Sequence, residues 1–174
     1  MRDIIRICRT RVRRDATTVI QVCCFWVIGL AFGRYLVDRS GVSSASIMQL
    51  AATTQPVILL QLFGQLLPLL ITYAGVFFLG KIVVHPVVIC HACVLGYTSF
   101  LCRRGFNSAG WLVYRILFFS DCISAIILLW IWLNVLKDHH YLTVRRFLCY
   151  SGILTLVVLF DYFVCSKFLL SVLT

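Results

Sequence analysis

Long apolar runs alternate with short basic clusters along this chain, and that alternation limits what it can fold into. The runs cover about residues 19–37, 56–79, 82–101, 111–136 and 147–170, while Lys and Arg collect at the N-terminus and in the gaps. A helix rises about 1.5 Å per residue, so each run is about as long as a ~30 Å hydrocarbon layer is thick. Composition points the same way. The chain is 61% hydrophobic and 13% charged, with a mean hydropathy of +0.99, whereas a soluble domain carries about 25% charged residues. The expected fold is all-α: a polytopic transmembrane helical bundle of about five spans, forming one integral membrane domain over residues 1–174.

The net charge of +10 could suggest nucleic acid. The placement of the charges argues against it. They sit in clusters between apolar runs, where basic residues orient a membrane protein and meet anionic headgroups. The expected partners are therefore the lipid bilayer and other membrane or envelope proteins, including a second copy of the chain, and not nucleic acid. Most of the nine cysteines fall inside the apolar runs, so they read as buried free thiols rather than a disulfide framework.

Arg2, Arg6, Arg9, Arg11, Arg13 and Arg14 crowd the N-terminus. They suit either a cytoplasmic surface helix leading into the membrane or a solvated basic tail. The apolar stretch that follows is too long for a signal-peptide core, so the first span is expected to stay as an anchor. It ends near Arg34, which can snorkel, and Asp38-Arg39. Residues 40–55 read as an outer loop or interfacial helix. The second span starts at Pro56, carries Pro68 mid-span, where a kink is expected, and is followed by a short Gly80-Lys81 turn. The third contains His85-Pro86, His91 and Gly96, which make it polar and breakable. The fourth carries Trp111, Trp130 and Trp132, read as interfacial anchors.

With the N-terminus in the cytoplasm, ten Lys and Arg residues fall inside and four (Arg39, Arg103, Arg104 and Lys167) outside. That bias favours a multi-pass cell-membrane protein with a cytoplasmic N-terminus. Arg103-Arg104 on the outside run against the rule. A re-entrant hairpin over the second and third segments is the alternative, and it would put that pair inside.

Several polar residues inside the runs are candidate sites. Arg115, Asp121 and Asp161 lie in or near apolar spans, where a charge costs a few kcal/mol and needs a partner. Arg115 and Asp121 are six apart and project from different faces, so Asp121 is expected to meet another helix, with His85, His91 or Arg34 as candidates. The group could form a proton or ion path, or a structural polar clamp. Gln61 and Gln65, one turn apart, can hydrogen-bond across helices. Gly29 and Gly33 form a GxxxG pair, suited to a homodimer or to internal packing. Cys90-His91-Ala92-Cys93 is a CxxC on one helix face. It could be a redox pair, half a metal site, or two small packing residues. A metal would need two further ligands; His85 is a third and no fourth is evident. No metal, cofactor or catalytic group is expected, since GxSxG, HExxH and phosphate-loop patterns and glutamate are all missing from the sequence.

The outline resembles the stage II sporulation protein M family of spore-forming bacteria. Trp26-Val27-Ile28-Gly29-Leu30-Ala31-Phe32-Gly33 is similar to that family's glycine-rich first span. Gly75 to Gly80 and Val94-Leu95-Gly96-Tyr97 are similar to its central helices, and Gly105 to Gly110 to its short loop before the next span. The chain departs from the family at Cys90–Cys93, where a Lys/Gly-type turn is usual, and at Ser120-Asp121, where a Pro-Gln-Asn-like element is usual. The resemblance implies a non-enzymatic scaffold that recruits peptidoglycan-remodelling partners during engulfment of the forespore. Two further readings come from the residues themselves: a membrane thiol oxidoreductase using Cys90 and Cys93, and a small transporter or channel subunit using Asp121, Arg115, His85 and Pro68.

Overall fold

The computed structural model describes the backbone of residues 2–41, 58–105, 108–138, 140–160 and 162–163, and side chains at 16–41, 62–101, 103, 121–138, 140–160 and 162–163. The described chain is all-helical, and no strand occurs among the described residues. Its elements are α1 (Arg2–Ser40), α2 (Ile58–Leu79), a 3-10 turn (Gly80–Val83), α3 (Val84–Gly105), α4 (Ser108–Lys137) and α5 (Val144–Phe160).

Helix α1 is a single helix of 39 residues, about 58 Å long. The basic segment therefore continues the same helix as the apolar segment. It ends where Gly41 takes φ +61, the left-handed conformation that glycine adopts without penalty just past a helix. Gly80, at φ +70, ends α2 in the same way. Pro68 lies inside α2, and the helix continues through it. The Thr72 hydroxyl donates to the Pro68 carbonyl at 2.7 Å.

The third apolar run does not break at His85-Pro86. Pro86 falls in the first turn of α3, where a missing N–H costs nothing, and the helix runs on to Gly105. The loop between α4 and α5 is tight. The Asp138 carboxylate accepts from the His140 backbone N–H at 3.0 Å, and at the start of α5 the Thr143 carbonyl accepts from the Phe147 N–H at 2.8 Å while its hydroxyl accepts from the Arg146 N–H at 3.4 Å. His140 is exposed and His139 lies outside the described residues. Of the expected fifth span, residues 147–160 are helical; most of 161–170 lies outside the described residues.

Cross-helix contacts fix the directions. Gly29 packs on Ile89 and Ala92, and Gly33 on Cys93, Gly96 and Tyr97, so α1 and α3 run parallel. Gln65 meets Asp121 and Thr72 meets Trp132, so α2 and α4 run parallel. Lys81, in the turn after α2, reaches the end of α4, and Tyr73 of α2 packs on Phe147 at the start of α5 at 4.7 Å. Odd-numbered and even-numbered helices thus run in opposite senses. Arg103, at the far end of α3, lies beside Arg34 and Asp38, at the opposite end from the Lys81 turn.

The shared core holds Val22, Leu69, Val84, Val88, Leu128, Ile131, Trp132, Val135 and Leu154. Trp132 is fully buried, which corrects its reading as an interfacial anchor; Trp130 is exposed, and the Trp111 side chain lies outside the described residues. The outward faces are just as apolar. Phe77 is 81% exposed, Phe78 78% and Ile82 71%. Two helical stretches, Ala16–Ser40 and Leu62–Leu101, are long and apolar enough to cross a membrane. Only 17% and 28% of their most apolar windows are buried, unlike the core helix of a soluble protein, which hides most of such a stretch.

Candidate functional site

Polar side chains gather between the helices, in three layers. Nearest the Lys81 turn, the Lys81 ammonium donates to the carbonyls of Leu136 at 2.8 Å and Lys137 at 3.0 Å. These are among the last carbonyls of α4, which have no partner within their own helix. A cation there also complements the negative end of the helix dipole.

In the middle, α1, α3 and α4 each supply one ring. The His91 imidazole lies 5.8 Å from Trp26 and 5.6 Å from Trp132, and the two indoles are 6.3 Å apart. The Trp132 indole N–H donates to the Thr72 hydroxyl at 2.9 Å, so that hydroxyl serves two helices at once. His91 Nε2 is buried without a hydrogen-bond partner. His85 packs edge-on against Phe25 at 4.9 Å.

Farther along, the Gln65 amide donates to Asp121 Oδ1 at 2.6 Å, joining α2 to α4. Among the described contacts Asp121 thus meets Gln65 across the helices, where His85, His91 or Arg34 was expected. Gln65 Oε1 and the Ser124 hydroxyl, one turn beyond Asp121, are buried without partners. Gln61, Arg115 and Asp161 lie outside the residues whose side chains are described.

The glycine pair of α1 is engaged inside the chain. A methyl added at Gly29 would come within 2.5 Å of the Ile89 carbonyl oxygen, and one at Gly33 within 2.6 Å of the Tyr97 nitrogen. On the facing helix, a methyl at Gly96 would come within 2.7 Å of the Leu30 carbonyl oxygen. Ala92 and Gly96 of α3 thus complement Gly29 and Gly33 of α1. Sequence reading had the signal for this seam, a second small-xxx-small pair, but weighed only the first.

The cysteines are less buried than their apolar surroundings suggest. Cys23, Cys24, Cys90 and Cys149 are exposed, Cys93 and Cys122 are half-buried, and all six are free thiols. Cys90 and Cys93 share a side of α3, with Cys93 toward the glycine seam. Among the described residues, no three His, Cys, Asp or Glu side chains converge as a metal site would require. Arg34 is exposed and lies over the Phe100 ring at 5.4 Å.

No family model matches the chain, and no curated protein or solved structure matches it. What the polar layers can do therefore has to be judged on their chemistry. They pair helices, fill the core and cap an end; a nucleophile with its own base is not found among the described residues.

Proposed function

We propose that the chain is a multi-pass membrane protein of five spans, with a cytoplasmic N-terminus, acting as a non-enzymatic scaffold. The observation that carries the reading is an outer surface as apolar as the core. Gln65, Thr72, His91 and Ser124 are buried between helices, while Phe63, Phe77, Phe78, Ile126 and Leu156 face outward. In hydrocarbon the outward side chains lose nothing, and polar groups are kept away from the lipid. The alternating helix directions support a serial crossing. They also place Arg103 at the Arg34 end of the bundle, the end that five serial spans would put outside.

With the glycine seam filled internally, partners would meet the outer apolar faces and the short loops. The resemblance to the stage II sporulation protein M family would make those partners peptidoglycan-remodelling proteins in sporulation. Cross-linking in intact membranes, followed by co-purification, tests the scaffold reading. Envelope proteins should accompany the chain; a chain recovered alone from cross-linked membranes contradicts it.

One observation favours a second reading, a transporter or channel subunit: Gln65 Oε1 and the Ser124 hydroxyl are buried and unpartnered beside Asp121. Buried orphan oxygens next to a carboxylate suit a passing proton or cation. Ion flux into liposomes, abolished by Asp121→Asn, would support that reading. Absent flux, or flux indifferent to the substitution, would remove it.

A further inference from the structure

At the end of the bundle opposite Lys81, a groove lies between the last turns of α1 and α3. It is lined by Arg34, Val37 and Asp38 from α1 and by Phe100 and Arg103 from α3, and it encloses about 360 Å³. The sequence explains the opening. Small residues hold the two backbones in contact from Gly29 to Gly96. Beyond them the groove is lined by the larger side chains Arg34, Val37, Phe100 and Arg103.

Among the described lining residues, two guanidinium groups stand against one carboxylate, a net positive balance. Arg34 is held over the face of Phe100, a contact that orients a guanidinium without neutralising it. Arg103 is exposed in the last turn of α3. Guanidinium groups are planar forks that match phosphate oxygens two at a time.

The depth of the groove narrows the choice of anion. Arg34 lies six residues before the end of α1, about 9 Å along the axis. On the same face of α1 as Arg34, two and four turns further from this end, Val27 and Ile20 are exposed apolar side chains. A positive groove just above an apolar helix surface matches a molecule with a phosphate head and hydrocarbon tails.

We propose that this groove binds the phosphodiester of an acidic phospholipid, with Arg34 and Arg103 on the phosphate and the acyl chains along α1. A zwitterionic lipid brings its own ammonium to a net-positive lining and binds less well. Inorganic phosphate has the head chemistry but lacks the tails. The proposal rests on the membrane reading above.

The test uses the full chain extracted from membranes into a neutral detergent. Its thermal unfolding midpoint is read with added phosphatidylglycerol, phosphatidylcholine or inorganic phosphate. Phosphatidylglycerol should raise the midpoint most. The Arg34→Gln/Arg103→Gln protein should lose at least half of that rise, whereas Arg145→Gln, at the opposite end of the bundle, should keep it. Arg103→Gln alone, at an exposed position, should also lower the response and serves if the double variant does not fold. An unchanged phosphatidylglycerol response in these variants, or an equal rise from inorganic phosphate, overturns the proposal. Failure of the membrane reading looks different, because the chain would then appear in the soluble fraction before any lipid is added.

Discussion

Gly33 on α1 lies directly against Gly96 on α3: a methyl added at Gly33 would fall 3.0 Å from the Gly96 carbonyl carbon. Close approach of two backbones is the usual reason for small residues between membrane helices, where dispersion contacts replace the hydrophobic drive that water supplies. Because α1 and α3 run parallel here, the seam sets both their separation and their common direction.

Enlarging the seam should therefore cost stability. Gly33→Ala forces its methyl into the Tyr97 backbone and should destabilise the bundle by about 1–3 kcal/mol, as overpacking does. Gly64→Ala is the control, since nothing lies within 4 Å of its added methyl. It should be neutral or stabilising by up to about 1 kcal/mol, through helix propensity alone. Denaturation in mixed micelles measures both; equal effects would contradict the seam.

The Gln65–Asp121 pair predicts non-additive losses, with the double variant more stable than Asp121→Leu alone. Asp121→Leu leaves the buried Gln65 amide without its acceptor and should cost about 1–3 kcal/mol. Asp121→Asn keeps an oxygen acceptor and should cost less. Gln65→Leu/Asp121→Leu removes both polar groups and should recover most of the loss, since interhelical hydrogen bonds in bilayers average only about 0.6 kcal/mol. A double-mutant cycle reads the coupling directly. Additive losses would mean that the two residues do not act on each other.

The aromatic layer separates two kinds of polar atom. Thr72→Val removes the acceptor of the buried Trp132 indole N–H and should cost about 1–3 kcal/mol. His91→Phe keeps a ring between Trp26 and Trp132 while deleting Nε2, which has no partner. It should fall within about 1 kcal/mol of the native protein, as near-isosteric swaps do. A large loss at His91 would show that its nitrogens carry a role beyond packing.

Lys81 should behave as a cap. Lys81→Met leaves the Leu136 and Lys137 carbonyls without this donor and should cost up to about 2 kcal/mol. Lys81→Arg, which can still donate, should lose less. Hydrogen exchange near the end of α4 locates the effect, and faster exchange confined to α1 would contradict it.

How far the sequence could be read follows from what each signal encodes. Apolar runs bounded by Gly41 and Gly80 mark helices through length and termination, which are local properties, so α2 to α4 and the end of α1 lie close to their expected bounds, whereas α1 begins at Arg2, well before the expected start of its apolar run. Partners are not local. Asp121 signals its need for one, yet only the parallel placing of α2 beside α4 makes it Gln65. Trp132 sits near a helix end, where tryptophans often anchor at the interface. The face that α4 turns to Thr72 and His91 puts it in the core instead. Thr72 and Lys81 had a readable cue: a hydroxyl four residues after Pro68, and a lone cation in a turn between apolar helices. Without the helix arrangement, nothing showed which carbonyls or indole they would serve.

The central claim is that the third segment crosses the membrane and carries Arg103 to the far side. Single-cysteine labelling in a version with the nine native cysteines replaced tests it most directly. A membrane-impermeant maleimide added to intact cells should label Ser108→Cys at once and label His140→Cys only after permeabilisation. Labelling of Ser108→Cys from the cytoplasmic side alone would contradict five spans and leave a re-entrant hairpin in their place.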